Sequence, residues 1–211
     1  MKPVVVVDYG IGNVHSVLKA LRHEGADVTL TSDVGAISSA ERLVLPGVGA
    51  FAEGMRELSA RGLVDPLKRY LAEGRPFLGI CLGMQLLLSE SEEFGRHEGL
   101  GFFPGRVVKL DVRAGVKVPH IGWTPIVEPA PSRFSGTFLE GTQPGTMAYF
   151  VHSFSAVPER EEDRLADADY GGFRVSAAVS RGRVAGCQFH PEKSGPKGLA
   201  MLRRFLSLPI D

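Results

Sequence analysis

Cys81 lies between two glycines in the segment Gly79-Ile80-Cys81-Leu82-Gly83. The apolar run from Phe77 to Ile80 predicts a strand before it, and the next residues predict a helix from Leu82 to about Ser89. A G-x-nucleophile-x-G sequence at such a junction forms a tight turn that presents the nucleophile above the sheet. A helix N-terminus favours the thiolate, and the N–H of Leu82 is placed to stabilise an oxyanion. The segment therefore predicts a nucleophilic thiol, with a buried structural cysteine as the alternative.

A base and a carboxylate occur together in His190-Pro191-Glu192, directly after a predicted strand from Val184 to Phe189. In an extended chain, side chains two positions apart point to the same side, so His190 and Glu192 are expected to meet. A carboxylate beside an imidazole fixes its tautomer and stabilises the imidazolium. Taken alone, the segment is typical of a turn. Together with Cys81 it predicts a catalytic set of Cys81, His190 and Glu192 that only the fold can assemble.

A third candidate element is the loop Pro46-Gly47-Val48-Gly49, which follows a predicted strand from Arg42 to Leu45. Glycine adopts backbone conformations that are closed to other residues. The loop can therefore turn its N–H groups toward an oxyanion or away from it. An ordinary strand-to-helix turn is the alternative.

The chain as a whole predicts an α/β fold, because short apolar strands alternate with amphipathic helices in its first half. The second half predicts further strands, taken as antiparallel additions to the sheet or as a small second layer. The acidic stretch from Pro158 to Asp169 has few large apolar residues and predicts an exposed loop. The predicted strands are 4–7, 28–31, 42–45, 77–80, 107–110, 148–154, 175–180 and 184–189, and the predicted helices are 13–24, 54–58, 64–73, 82–89 and 196–206.

Composition narrows the class of protein. The 211 residues are 44% apolar, which predicts one globular domain over residues 1–211. Twenty-four basic and 24 acidic residues give no net charge. The chain therefore has no overall electrostatic field that would attract nucleic acid or an anionic membrane. No apolar run suits a membrane span or a signal peptide, which predicts a cytoplasmic protein. Neither a zinc-site spacing nor a complete dinucleotide fingerprint occurs, so we expect no metal and no cofactor.

The motifs together resemble those of the class I, or triad, glutamine amidotransferases. The broad resemblance rests on two segments, Gly79-Ile80-Cys81-Leu82-Gly83-Met84-Gln85 and Gln188-Phe189-His190-Pro191-Glu192-Lys193-Ser194. A narrower resemblance, to the glutaminase subunits of imidazole glycerol phosphate synthase, rests on Asp8-Tyr9-Gly10-Ile11-Gly12-Asn13, Leu45-Pro46-Gly47-Val48-Gly49-Ala50-Phe51, Val118-Pro119-His120-Ile121-Gly122-Trp123 and Tyr149-Phe150-Val151-His152-Ser153-Phe154. These segments follow the family's order along nearly the whole chain.

The resemblance implies a single-domain amidotransferase fold and a glutaminase reaction. Cys81 attacks the carboxamide of glutamine, His190 protonates the leaving ammonia, and water then hydrolyses the glutamyl thioester. Glu192 orients His190. The remaining implied roles are an oxyanion hole from Leu82 and the loop residues Gly47, Val48 and Gly49, and a glutamine site from Gln85, Ser153 and Phe154. The resemblance also implies that the peptide at Val48 turns over when the partner binds its own ligand.

The resemblance further implies a partner, a cyclase subunit with a (β/α)₈ barrel that forms a heterodimer with this chain. Ammonia passes to it and helps convert a phosphoribulosyl aminoimidazole carboxamide into imidazole glycerol phosphate and an aminoimidazole carboxamide ribotide. Asn13, Trp123 and Tyr149 are the implied docking residues, with core packing as the alternative for the two aromatic side chains. Three other functions stay open: a glutaminase for another synthase, a non-catalytic regulatory subunit, and a cysteine peptidase or thiol hydrolase.

Overall fold

The computed structural model describes residues 2–210, and strands and helices alternate through the first half of that range. Short apolar runs form the strands, and stripes of apolar residues at helical spacing form the helices. The elements are β1 (Lys2–Val7), α1 (Val14–His23), β2 (Ala26–Thr31), α2 (Val34–Ser39), β3 (Leu43–Gly47), α3 (Phe51–Ala60), α4 (Val64–Ala72), β4 (Phe77–Cys81) and α5 (Leu82–Gln85).

The second half consists mainly of strands. They are β5 (Leu88–Ser91), β6 (His97–Glu98), β7 (Phe103–Lys109), β8 (His120–Ile126), β9 (Thr146–His152), β10 (Phe154–Pro158), β11 (Arg164–Tyr170), β12 (Phe173–Arg181) and β13 (Val184–Cys187). Short 3-10 turns span Glu161–Asp163 and Pro191–Lys193, and the last helix is α6 (Gly195–Leu206).

Seven strands form the central sheet in the order β11-β12-β13-β4-β3-β1-β2. The pairs from β13 to β2 are parallel, whereas β11 and β12 are added antiparallel at one edge. The parallel strands β3, β4 and β13 therefore end at the same edge of the sheet. Ligands of open α/β sheets bind at this carboxyl edge. The predicted α/β fold, with a mostly parallel sheet and antiparallel additions, is confirmed.

Apolar layers cover both faces of the central sheet. On one face, α1 and α6 pack against strand residues such as Val6, Ile80 and Cys187. On the other, α2, α3, α4 and α5 share a core with Leu45 and Phe77. A four-stranded sheet, β10-β7-β5-β6, joins the second layer, and β8 pairs with β9 in a separate hairpin. Burial on both faces explains the continuous apolar runs of the parallel strands.

The helix predicted from Leu82 to about Ser89 is too long. Helix α5 ends at Gln85. The residues after it form hydrogen bonds with the chain near the four-stranded sheet, where Leu100 N donates to the Leu86 carbonyl at 2.8 Å. Leu88 then pairs with Phe103. The leucines here are fully buried, and periodicity does not separate a buried helix from a buried strand in so short a run. A single helical turn also has a small dipole, so little thiolate stabilisation comes from α5.

The strand predicted from Ala148 to Phe154 is two strands. Strand β9 ends at His152 and belongs to the hairpin, whereas β10 begins at Phe154 and pairs with β7. Ser153 lies between them, and its carbonyl accepts a hydrogen bond from Leu110 N at 3.0 Å. Because both strands are apolar, the sequence pattern shows no break where the chain changes sheets.

The acidic stretch from Pro158 to Asp169 is not an exposed loop, which corrects the sequence-based prediction. Most of it forms the turn Glu161–Asp163 and the edge strand β11, in which residues 163–168 are buried. Asp167 binds Arg164 at 2.7 Å and Arg174 at 2.6 Å, and Asp163 binds Arg181 at 2.6 Å. These buried carboxylates are paired with arginines, two of them from β12, so the charge pattern of the segment alone does not indicate exposure.

No helix within residues 2–210 is long and apolar enough to cross a lipid bilayer.

Candidate active site

Cys81 lies in a sharp turn between β4 and α5. Its φ of 55° and ψ of −109° are conformations that a residue with a side chain rarely adopts. A Cβ on Gly83 would lie 1.8 Å from the Leu45 carbonyl oxygen, and one on Gly79 would lie 2.6 Å from the Gly83 carbonyl oxygen. The two glycines therefore allow α5 to pack directly on β3 and β4. This close packing holds Cys81 in its strained conformation at the carboxyl edge of the sheet.

His190 and Glu192 follow β13, the strand that pairs with β4. His190 Nδ1 donates a hydrogen bond to Glu192 Oε1 at 2.8 Å, with both side chains buried. His190 Nε2 makes no hydrogen bond within the described residues and is buried. The carboxylate thus fixes the tautomer that leaves Nε2 available to a reacting atom.

The protonation of His190 depends on its neighbours. Burial lowers the pKa of His190, but Cys81 and Glu192 raise it by a larger amount, to about 9. No well-directed hydrogen bond joins Nε2 to the sulfur, so the effect of Cys81 is that of a nearby negative charge. The site therefore favours a protonated His190 ring at neutral pH.

Removing the sulfur should lower the pKa of His190. In Cys81→Ala, we expect NMR titration of the His190 ring to show a midpoint well below about 9, because one of the two side chains that raise its pKa is gone. Because the pKa of His190 is higher in the folded protein than its ordinary value of 6.5, protonation of this ring stabilises the fold. The stabilisation is complete below pH 6.5 and is lost as the pH rises through about 9. This pH-dependent loss of stability should be smaller in Cys81→Ala. An unchanged midpoint for the His190 ring would show that the sulfur does not raise its pKa.

A cavity of about 280 Å³ opens at Cys81 and His190, a volume that suits a small metabolite. The loop residues Val48 and Gly49, with Leu82, form one side of it. The opposite side comes from the β9–β10 junction. The residues that line the cavity are Val48, Gly49, Cys81, Leu82, Gln85, Glu93, Val151, His152, Ser153, Phe154 and His190.

Gly47 and Gly49, the two glycines of the 46–49 loop, are required for different structural reasons. A Cβ on Gly47 would lie 2.2 Å from Tyr9 Oη and 3.0 Å from Leu82 Cβ, so only glycine fits. Gly49 has open space around it but a φ of +98°, which favours glycine for its conformation. Val48 between them is 40% exposed. The loop is therefore fixed at Gly47 and adaptable at Gly49, next to the cavity.

Gln85 lies in a hydrogen-bonded row of amides. Its Nε2 donates to the Phe154 carbonyl at 2.9 Å and to Gln188 Oε1 at 2.9 Å. Gln188 Nε2 in turn donates to Cys81 Sγ at 3.6 Å. With both N–H groups of Gln85 engaged, its Oε1 is the atom left to accept a hydrogen bond from a ligand.

His152 is a second histidine at the cavity, and both of its ring nitrogens are engaged. Its Nδ1 donates to the Phe154 carbonyl at 2.9 Å, so its Nε2 accepts from His120 Nδ1 at 3.0 Å. His120 Nε2 then accepts from the Thr124 hydroxyl at 2.7 Å. Burial lowers the pKa of both histidines to about 4. These rings are neutral and fully bonded, so they do not serve as a base for Cys81.

The hairpin of β8 and β9 presents an apolar outer face. Trp123 is 51% exposed and lies edge-on to the half-buried Tyr149, 6.0 Å between ring centres. Ile121 and Met147 are exposed on the same face, which follows from the alternation of β-strand side chains. Core packing, the alternative for the two aromatic residues, does not apply to Trp123. Asn13 is also exposed, immediately before α1, and its side chain makes no helix-cap hydrogen bond.

The hairpin is bonded directly to the His190 turn. The Tyr149 carbonyl accepts from His190 N at 2.9 Å, and Tyr149 N donates to the Ser194 hydroxyl oxygen at 3.0 Å. Ser194 Oγ donates to the His190 carbonyl at 2.7 Å. The backbone that carries the exposed hairpin face therefore also holds the backbone of His190.

Glu93 and Gln188 at the site were not predicted from the sequence. Glu93 lines the cavity, and its Oε2 accepts a hydrogen bond from Phe51 N at 2.7 Å at the start of α3. The sequence feature that could have marked Gln188 as a site residue is its position two residues before His190. No sequence signal marked Glu93, which reaches the cavity through a turn between β5 and β6. Among residues 2–210, no group of three or more metal-ligating side chains is arranged to hold a metal ion.

A thiol and an imidazole line one small cavity, and a carboxylate bonds the imidazole, an arrangement typical of hydrolases and transferases that work through a cysteine nucleophile. The model of the family "Glutamine amidotransferase class-I" matches residues 5–208. The chain belongs to the class-I glutamine amidotransferase family.

Comparison with curated relatives identifies a narrower group within this family. The chain is 46% identical to "Imidazole glycerol phosphate synthase subunit HisH 1" of Legionella pneumophila strain Lens, over 99% of this chain and 100% of the relative. It is 47% identical to the HisH subunit of Syntrophotalea carbinolica, over 96% and 98%. This similarity places the chain among the HisH subunits of imidazole glycerol phosphate synthase.

Solved structures share the fold at lower identity. A structure described as PurLQS from Thermotoga maritima superposes with a TM-score of 0.73 at 18% identity, covering 98% of each chain. A structure described as a glutamine amidotransferase superposes with a TM-score of 0.71 at 21% identity, covering 97% of each chain. The amidotransferase fold is thus common to chains whose sequences have diverged widely.

Proposed function

We propose that this chain is the glutaminase subunit of imidazole glycerol phosphate synthase, and that it forms ammonia from glutamine for a cyclase subunit in histidine biosynthesis. The observation that carries the proposal is that Cys81 and His190 line one cavity while Glu192 holds the His190 ring by a hydrogen bond. The family membership and the HisH relatives support the same function.

The reaction takes two steps at Cys81. The thiolate attacks the side-chain carbonyl carbon of glutamine, and the tetrahedral intermediate breaks its C–N bond as His190 gives a proton to the leaving ammonia. A glutamyl thioester stays on the sulfur. His190 then takes a proton from a water molecule that attacks the thioester, which releases glutamate and restores the thiolate. Glu192 keeps Nδ1 of His190 protonated and so keeps Nε2 facing the reaction.

The cavity offers groups that match the charges of glutamine. The Glu93 carboxylate and Gln85 Oε1 suit the α-ammonium group. Backbone N–H groups at Ser153 and Phe154 suit the α-carboxylate. The oxyanion is assigned to the N–H of Leu82 and to an N–H of the Gly47-Val48-Gly49 loop, which both border Cys81.

The cyclase is proposed to dock on the outer face of the β8–β9 hairpin, with Asn13, Trp123 and Tyr149 as contacts. That face carries exposed apolar side chains, and Val151 at its end also lines the cavity. A partner seated there covers the cavity mouth, so ammonia passes between the subunits without entering water. The hydrogen bonds of Tyr149 to the His190 turn give docking a direct route to the active site.

Mixing the two subunits tests the function. The chain should produce glutamate slowly when alone and much faster with the cyclase and its phosphoribulosyl ligand. If the histidine-pathway cyclase fails to increase glutamate formation, the chain serves another synthase or has a regulatory role. Hydrolysis of peptides or esters without a partner would instead indicate a thiol hydrolase.

Truncating the exposed indole should weaken docking. In Trp123→Ala, we expect the dissociation constant for the cyclase to rise on the order of 10-fold or more, since buried tryptophans are frequent interface hot spots. Surface plasmon resonance gives the constant. Val34→Ala, which truncates an exposed apolar side chain on α2, is the matched control and should bind normally. Equal binding by both variants would place the interface elsewhere.

A further inference from the structure

Gln188 is fully buried between Cys81 and Gln85 and has no role in the triad. We propose that its side-chain amide donates a hydrogen bond to the Cys81 sulfur and keeps that sulfur ionised and aimed at the substrate carbon. The proposal rests on the proposed function, because it assigns a task to Gln188 in the same reaction.

The orientation of the Gln188 amide follows from its neighbours. Gln85 Nε2 can only donate, so the Gln188 atom 2.9 Å from it is the acceptor Oε1. The other end of the amide, Nε2, therefore faces Cys81 Sγ at 3.6 Å, a suitable distance for an N–H donor to sulfur. Gln85 is oriented in turn by the Phe154 carbonyl. A chain of directed hydrogen bonds thus begins at the backbone of β10 and ends at the nucleophile.

Other groups also face the sulfur. The Val151 carbonyl oxygen, 4.0 Å away, accepts from a thiol and repels a thiolate. The His190 ring interacts with the sulfur, but its Nε2 makes no well-directed hydrogen bond within the described residues. Tyr9 and Cys187 also lie near enough to interact with the charge of the sulfur. The single-turn helix after Cys81 contributes little dipole. A neutral N–H donor strengthens when its acceptor becomes charged, so the Gln188 amide stabilises the thiolate more than the thiol.

The backbone of Gln188 makes its side chain a rigid support. Gln188 N donates to the Ala177 carbonyl at 2.8 Å, which ties the residue to β12. The side chain is surrounded by the core and has no exposed area. Gln188 therefore acts on the sulfur from a fixed position, and the orientation does not depend on bound glutamine.

The pH dependence of Cys81 alkylation by iodoacetamide tests the proposal, with the alkylated peptide identified by mass spectrometry. In Gln188→Met, which keeps the length but removes the donor, the midpoint pH should rise by about 1 or more, and alkylation below the midpoint should be about tenfold slower or worse. Gln188→Glu, with an anion beside the sulfur, should raise the midpoint further. Gln143→Met makes the same chemical change on the exposed surface and should leave the midpoint unchanged.

An unchanged midpoint in folded Gln188→Met and Gln188→Glu would overturn the proposal and show that Gln188 only packs. A measurement on the unsubstituted chain covers the case in which neither variant folds: the side-chain amide proton of Gln188 should shift in NMR spectra with the same midpoint as alkylation. Absence of that shift overturns the proposal as well. Glutamate formation with the cyclase is measured in parallel, so a shifted midpoint without glutaminase activity would refute the proposed function and leave the Gln188 contact standing.

Discussion

Cys81→Ala is expected to abolish glutamine hydrolysis, with a loss on the order of 10⁴-fold or more in glutamate formation by the complex with the cyclase. The reason is that the sulfur forms the covalent bond to the glutamyl group, and Cys81 carries the only thiol among the residues that line the cavity. Binding of the cyclase should stay intact, since the exposed hairpin face is unchanged. A coupled assay for glutamate and a binding assay on the same sample check both expectations.

The second cysteine provides the matched control. Cys187 is fully buried in β13, and burial raises the pKa of its thiol, so it is not a nucleophile. Cys187→Ala should retain glutaminase activity. Normal glutamate formation by Cys81→Ala would remove Cys81 from the mechanism, whereas its loss in a folded Cys187→Ala would show that Cys187 also contributes.

Asp167→Ala is expected to lower the free energy of unfolding by about 3–5 kcal/mol, the range for breaking a buried ion pair. Asp167 binds Arg164 and Arg174, and the side chain of Arg164 is only 5% exposed. The substitution leaves a buried guanidinium without its carboxylate. Because domains are stable by about 5–15 kcal/mol, this loss should be plain in urea unfolding.

Asp169→Ala tests whether burial causes the effect. Asp169 lies on the same strand, but it is exposed and accepts one long hydrogen bond, from Gly172 N at 3.4 Å. Its removal should change the free energy of unfolding by no more than about 0.5 kcal/mol. Similar losses in the two variants would mean that the arginine pairing of Asp167 is not what stabilises the edge strand.

The acidic segment shows where sequence reasoning fails. Residues 158–169 have the composition of a solvated loop, and the prediction of a loop was wrong. The carboxylates of Asp163 and Asp167 are buried, and Arg174 and Arg181, on the neighbouring strand β12, reach across to them. Pairing between strands is set by the sheet order, which a local pattern does not contain. The same limit applies at residues 86–89, where a second sheet ended the helix early.

The active site was more accessible to prediction because its signals are local. The glycines on either side of Cys81 mark a turn that no other residues fit, and the alternation of an extended chain places His190 beside Glu192. The pairing of these two distant segments was a hypothesis from their chemistry, and the parallel neighbours β4 and β13 bring them together. The positions of Glu93 and Gln188 depend on side-chain packing and were not predicted. The assignment of residues 1–211 to one domain stays a prediction.

Acid quenching during turnover with glutamine and the cyclase, followed by mass spectrometry of the peptides, tests the central claim most directly. We expect an adduct of one glutamyl group on the peptide that carries Cys81, and we expect it to be absent in Cys81→Ala. Glutamate that accumulates with no adduct on Cys81 at any quenching time, or with the adduct on Cys187, would contradict it.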